Sequence, residues 1–164
     1  MTFFSKYRYS TIWLARALPE DGELITCEIS VEYAKIAQKN IDNAELNNRV
    51  KIIIGSATQT VSDLKPDASF DLAFIDADKQ SNVEYFIQAK RLVRKGGVII
   101  VDNVVRNGRV ADPEQSDPSI DGVRRLLEYI QKDRTVEATT LGTVGEKGYD
   151  GFLYAINKSS FDTV

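Results

Sequence analysis

Short apolar runs alternate along the chain with longer stretches whose apolar positions recur every three or four residues. That alternation predicts strands and helices taking turns around a largely parallel sheet. Residues 11–18 predict a helix, stopped by Pro19-Glu20-Asp21-Gly22, and residues 23–28 a strand. Ser30 is placed to cap a helix with Tyr33, Ala37, Ile41 and Ala44 on one face. Val50–Ile54 reads as a β-branched strand, followed by Gly55 and a short helix around Val61. Residues 70–76 are apolar almost throughout, as expected of a strand covered on both faces. Ser81-Asn82-Val83-Glu84 predicts a capping box for a helix burying Tyr85, Phe86, Ala89 and Val93. Gly96-Gly97 is expected to end that helix and open a strand at 98–101. After a polar loop at 107–116, Asp117-Pro118 predicts a helix with Ile120, Val123, Leu127 and Ile130 on one side. Two final strands, 136–141 and 151–157, are joined by the glycine-rich stretch 142–148 with no helix between them. They predict an antiparallel hairpin at the sheet's edge. No linker, repeat or low-complexity tract interrupts the pattern, so the expected organisation is one α/β domain over 1–164 with helices on both faces.

Composition narrows the chemistry. The chain has 164 residues, 43% of them hydrophobic and 27% charged, the proportions of an ordinary globular domain with a core of its own. A net charge of −3 gives no basic field to attract nucleic acid. The longest basic cluster, 90–95, alternates with Leu92 and Val93 and reads as the solvated end of a helix. No apolar run approaches membrane-spanning length and residues 1–6 do not resemble a signal peptide, so a cytoplasmic location is expected. Cys27, the only cysteine, lies in an apolar strand-like run and is expected to be a small core residue. There is no histidine at all. That removes Ser-His-Asp and Cys-His catalysis together with histidine-ligated zinc. Proton chemistry must then use a carboxylate, a lysine, a tyrosine or the lone cysteine.

In open parallel sheets, ligands bind beyond the carboxyl ends of the strands. The residues at those ends are Glu28, Gly55-Ser56-Ala57, Asp76-Ala77-Asp78-Lys79 and Asp102-Asn103. Asp76, Asp102 and Asn103 offer two carboxylates and an amide oxygen, a hard-oxygen set suited to Mg²⁺, Ca²⁺ or Mn²⁺ with positions left over for substrate. The competing reading is that they are loop residues bonded to nearby backbone. Lys79 follows Asp76 by three residues and either faces solvent or serves as a base, because a neighbouring divalent ion disfavours an ammonium. Glu28 is placed either to bind ribose hydroxyls or simply to favour the start of the next helix.

Phe74-Ile75-Asp76-Ala77-Asp78-Lys79 followed by Val101-Asp102-Asn103-Val104 resembles the metal-dependent O-methyltransferases, the family of the catechol and caffeoyl-CoA enzymes. Tyr9-Ser10-Thr11-Ile12-Trp13-Leu14-Ala15, Gly108-Arg109-Val110-Ala111-Asp112-Pro113 and Gly148-Tyr149-Asp150-Gly151-Phe152 are similar to family segments as well, so the likeness runs from Tyr9 to Asn157. It implies a Rossmann-like class I methyltransferase sheet, S-adenosylmethionine as cofactor and a divalent ion, usually Mg²⁺, on Asp76, Asp102 and Asn103. Lys79 would deprotonate one of two vicinal hydroxyls. Glu28 would bind the cofactor's ribose, Ala57 would lie near its adenine and Ser10 near its methionine carboxylate, with Ser56 also in the cofactor site. Asp76 would also touch the cofactor's amino group. The reaction would be an in-line attack of a small catechol-like or other vicinal-diol substrate on the sulfonium methyl. The expected partner is therefore a small hydroxylated molecule, neither nucleic acid nor membrane, with a homodimer left open.

The resemblance falters at the start of the chain. Family members carry a strand, an acidic residue and a glycine-rich turn just ahead of the pair corresponding to Tyr9-Ser10. Here Phe4 and Arg8 stand where glycines are expected and Thr2 stands near the expected acid. The first strand and the N-terminal helices are accordingly expected to be missing, with 1–8 a divergent N-terminus. A chain of this kind could also be a catalytically impaired relative acting as a binding module. Arg106 stands where plant relatives tend to carry tryptophan, which implies a different acceptor. A nicotinamide-dependent dehydrogenase shares the α/β pattern and the acid at Glu28. It needs a glycine-rich turn about 20 residues before that acid, and none is present.

Overall fold

The computed structural model of the chain describes residues 2–3, 9–146 and 148–159. They divide into two units, Met1–Asp63 and Leu64–Val164. In the first unit, the β-branched run Val50–Ile54 (β3) pairs in parallel with Leu24–Glu28 (β2), from Leu24 opposite Val50 to Glu28 opposite Ile54. Thr2–Phe3 (β1) pairs in parallel with the other edge of β2, Thr2 opposite Thr26 and Phe3 opposite Cys27. The expectation that the first strand is missing is therefore corrected: a two-residue strand occupies that edge. Phe4 and Arg8, on which the expected loss of the glycine-rich turn rests, lie outside the described residues.

Among the described residues, the helices of this unit are Tyr9–Ala17 (α1), Val31–Asn43 (α2) and Ala57–Asp63 (α3). Ser30 caps α2 as expected, its hydroxyl accepting the Tyr33 amide at 3.2 Å. The buried face of α2 is Ala34, Ala37 and Ile41, while Tyr33 stays 43% exposed. Steps of four residues drift by roughly 40° each against a 3.6-residue turn, which carries Tyr33 off the stripe centred on Ile41. Ala15, Leu24, Ile41, Leu46 and Val50 form a buried cluster here. Cys27 is fully buried, as its apolar setting predicts.

The second unit is built from Phe70–Ile75 (β4), Asn82–Leu92 (α4), Val93–Val101 (β5), Pro118–Lys132 (α5), Val136–Gly145 (β6) and Gly148–Asn157 (β7). β4 and β5 run parallel, β7 pairs antiparallel with β5, and β6 closes the edge antiparallel to β7. The hairpin is longer than its apolar residues suggest. Pairing continues through the glycine-rich stretch to Gly145 opposite Gly148. The capping of α5 follows the sequence, with Asp117 accepting the amides of Ser119 and Ile120 at 2.8 and 2.9 Å. No helix among the described residues is long and apolar enough to cross a membrane.

Two local expectations are overturned. Helix α4 ends at Leu92 instead of at Gly96-Gly97, where a remote side chain meets the chain's exit: the buried Asn157 amide donates to Lys90 O, in the last turn, at 2.8 Å and to Val93 O, just past it, at 2.7 Å. The glycines lie inside β5, at a register shift where a Cβ on Gly97 would come within 2.7 Å of Asp71 O. Lys90 consequently lies in no solvated helix end and is bound to Asp133 and Thr135. The Ser81 capping box also fails, since Ser81 makes no side-chain cap bond to α4. Asp78 caps instead a single 3₁₀ turn, Lys79–Ser81, by accepting the Ser81 amide at 3.1 Å.

Candidate functional site

The register of β4 against β5 decides the relation of the two aspartates. Ile75 lies opposite Val101, so Asp76 and Asp102 leave neighbouring strand tips side by side, about 4.8 Å apart in backbone. The Asp102 amide donates to Ile75 O at 2.9 Å, carrying the ladder up to that point. Each carboxylate commits one oxygen inward. Asp76 Oδ1 lies 3.4 Å from Lys79 Nζ, and Asp102 Oδ1 accepts the Asn103 amide at 2.8 Å. Among the described residues, no hydrogen bond occupies Asp76 Oδ2, Asp102 Oδ2 or Asn103 Oδ1. Burial pushes the Asp76 carboxyl above the usual carboxylate range; the Lys79 ammonium opposes this and the Asp102 charge adds to it. Two crowded carboxylates of this kind form a site that gains from a cation. No three His, Cys, Asp or Glu side chains converge as a metal cluster among the described residues; here two carboxylates are joined by an amide.

Asn103 adopts the left-handed backbone, φ +56°, as do Arg106 at +53° and Asn107 at +56°. Such conformations are held in place by contacts from elsewhere. Asp150, from β7, supplies them. Its carboxylate accepts the amides of Val105, Arg106 and Gly151 at 3.1, 2.8 and 2.8 Å, and Asn103 Nδ2 at 3.2 Å. Burial alone would raise Asp150, yet these bonds outweigh it and hold the group below the usual range. Sequence reasoning placed Asp150 in a family-like segment without giving it a role. An aspartate beside Gly151 in a hairpin is the only signal, and its partners in the loop after β5 lie more than forty residues away. Arg106 Nε is buried and bonds to nothing among the described residues.

Lys79 is buried, only 6% exposed, which decides against a solvated surface lysine. The 3₁₀ turn carrying it packs against α5 at Gly122, where a Cβ would stand 2.1 Å from Lys79 O. Gly122→Ala must therefore push the turn or the helix aside. Overpacking of this kind costs roughly 1–3 kcal/mol, and thermal unfolding should show a fall of about 2–4 °C for each kcal/mol. An unchanged midpoint would mean that the contact yields freely. Asp78, although in the same motif, turns away from the carboxylate pair. It accepts the Tyr85 hydroxyl at 2.7 Å, and bonds from Ser81 and Tyr85 outweigh burial to hold it low. Burial and that carboxylate together push the Tyr85 hydroxyl far above its ordinary value.

Glu28, Ser56, Ala57 and Ser10 belong to the first unit. Glu28 ends β2 with 5% exposure, and its Oε1 accepts the Ser30 amide at 3.0 Å. Beside it the Gly55 amide donates to Glu28 O at 2.8 Å, which brings the turn after β3 against the acid. Ser56 Oγ and Thr58 Oγ1 are 2.9 Å apart, and the buried Ala57 opens α3. A carboxylate held at a strand tip beside a turn and a helix start suits hydroxyl groups of a ribose. Ser10 lies in the first turn of α1, half-buried.

Comparison with known proteins identifies the family. The family model described as O-methyltransferase matches residues 4–151, a span that crosses both units. A catechol O-methyltransferase of Niastella koreensis is 46% identical over 152 residues, covering 92% of this chain and 69% of that protein. A catechol O-methyltransferase of Mycobacterium tuberculosis is 41% identical over 148 residues, covering 90% of this chain and 66% of that protein. The chain thus spans about two thirds of the length of these relatives. Among solved structures, an O-methyltransferase from Bacillus cereus in complex with SAH is 48% identical with a TM-score of 0.89, covering 96% of this chain and 72% of that one. The O-methyltransferase TomG from Streptomyces achromogenes, in complex with SAM, is 41% identical with a TM-score of 0.90 and the same coverage. The chain belongs to the O-methyltransferase family, whose reaction moves a methyl group from S-adenosylmethionine to an oxygen.

Proposed function

We propose that the chain methylates a hydroxyl of a catechol-like or other vicinal-diol substrate, with S-adenosylmethionine as donor and a divalent ion, Mg²⁺ by preference, held on Asp76, Asp102 and Asn103. The observation that carries the metal part is the set of three oxygens, Asp76 Oδ2, Asp102 Oδ2 and Asn103 Oδ1, free of partners among the described residues. Hard oxygens in this number leave about three positions of an octahedral ion for water and two substrate oxygens. Catechol is the substrate named for the relatives from Niastella koreensis and Mycobacterium tuberculosis, which supports a vicinal diol here.

When bound, the ion supplies positive charge that orients the diol and favours its ionised form. The remaining work falls to the chain's own residues. Lys79 takes the proton from the attacking hydroxyl, the oxygen–methyl bond forms as the sulfur–methyl bond breaks, and S-adenosylhomocysteine leaves. Glu28 binds the ribose hydroxyls, Ser56 and Ala57 flank the adenine and Ser10 meets the methionine carboxylate. The same Asp76 that binds the ion accepts the donor's ammonium group.

The test joins titration to turnover. Calorimetry should show Mn²⁺ binding to the protein without substrate, and S-adenosylmethionine binding at micromolar to millimolar concentration. Methylation of catechol should cease in EDTA and return with added Mg²⁺. Turnover indifferent to EDTA would remove the metal from the mechanism, and no heat at millimolar donor would remove the donor.

A further inference from the structure

We propose that Asp150 is a positioning residue that decides which atom of the Asn103 amide faces the cation; the inference rests on the metal reading above. The two ends of an asparagine amide are nearly identical in size, so packing alone distinguishes them poorly. Only one end can bind a cation. A side-chain oxygen presented to Mg²⁺ or Mn²⁺ is a ligand, whereas an NH₂ group in its place is repelled. The orientation must therefore be fixed by a hydrogen-bond partner.

Asp150 is that partner. A carboxylate accepts and does not donate, so the group of Asn103 that faces Asp150 Oδ2 at 3.2 Å must be its NH₂. The amide oxygen is then turned away from Asp150, while the backbone amide of the same residue donates to Asp102 Oδ1. Asp150 is itself immobilised. Its Oδ1 accepts three backbone amides, those of Val105, Arg106 and Gly151. The left-handed loop it braces is stitched to the start of β7 again through Asn107, whose amide donates to Tyr149 O at 3.0 Å and whose Oδ1 accepts the Tyr149 amide at 3.1 Å. The hairpin thus holds the loop's backbone with one carboxylate oxygen and orients the ligand amide with the other. Partners of this kind, one shell away from a metal, alter affinity by roughly 10–100-fold.

Swapping the two residue types tests the idea. Asp150→Asn retains an oxygen for the three backbone amides but sets NH₂ against NH₂, so Asn103 reverses and offers its nitrogen to the ion. Mn²⁺ affinity, read by the electron paramagnetic resonance of free Mn²⁺ without donor or substrate, should fall about 10–100-fold. Asn103→Asp in that background recreates a donor–acceptor pair with the roles exchanged, keeps the parent's total charge, and puts a carboxylate oxygen on the ion. It should restore affinity to near the parent value. In the parent background the same Asn103→Asp change sets two carboxylates face to face, and its effect on affinity should be less favourable by about tenfold or more. A charge effect alone would be equal in both backgrounds, so the difference isolates the pairing. Should Asp150→Asn fail to fold, a double variant that folds and binds Mn²⁺ supports the pairing, and one that does neither overturns it. Asp150→Asn binding Mn²⁺ like the parent, or equal Asn103→Asp effects in the two backgrounds, would overturn the inference while leaving the metal site intact. A parent protein that binds no Mn²⁺ overturns the metal reading and this inference together.

Discussion

Asp102→Ala is expected to lower metal-dependent turnover by about 10³-fold or more while the protein stays folded. Loss of a ligand removes charge stabilisation worth several kcal/mol at the reacting oxygen, and about 4 kcal/mol corresponds to a thousandfold in rate. The structural cost is small by comparison. The Asp102 side chain is half-buried and, among the described residues, makes one hydrogen bond, to the amide that follows it, while its own amide bond to Ile75 O survives the change. A bond of that type is worth about 1 kcal/mol. Removing the carboxylate also relieves Asp76 of the neighbouring charge that helps to raise it. Circular dichroism and thermal unfolding should therefore stay close to the parent while Mn²⁺ titration and Mg²⁺-dependent methylation fail. Parent-like activity at the same Mg²⁺ concentration would take Asp102 out of the site.

The strand tips were legible in the sequence for a physical reason. β-Branched runs and the helices between them fix which residues follow each strand, and parallel topology sends those residues to one end. Glu28, Asp76, Asp102 and Asn103 could be placed on that logic, and β3 was bounded correctly because Val50–Ile54 is flanked by breakers. What escaped depends on contacts remote along the chain. Asn157 meets the end of α4 from some sixty-five residues away, and nothing near Leu92 announces it. Asp78, placed in the rim because of its neighbours, is claimed by Tyr85 across the 3₁₀ turn. Asp150 is marked in the sequence only by the segment it lies in, because three of the groups it binds are backbone amides that have no residue signature. The tightness of Gly122 against Lys79 is likewise a fact of packing, invisible to periodicity.

Lys79→Met should then separate the base from the metal site. Methionine preserves the length and most of the apolar stem that 6% exposure implies, and it removes only the amine. General-base catalysis contributes about 10²–10⁴-fold, so single-turnover methylation at saturating Mg²⁺ and donor should slow by that factor. Metal affinity should move the other way. Lys79 Nζ lies 3.4 Å from Asp76 Oδ1 and competes with any cation for that carboxylate, so Mn²⁺ should bind as well as in the parent or more tightly. A rate within about a factor of two of the parent would mean that Lys79 serves Asp76 only as a buried counter-charge, with the substrate proton leaving by another route.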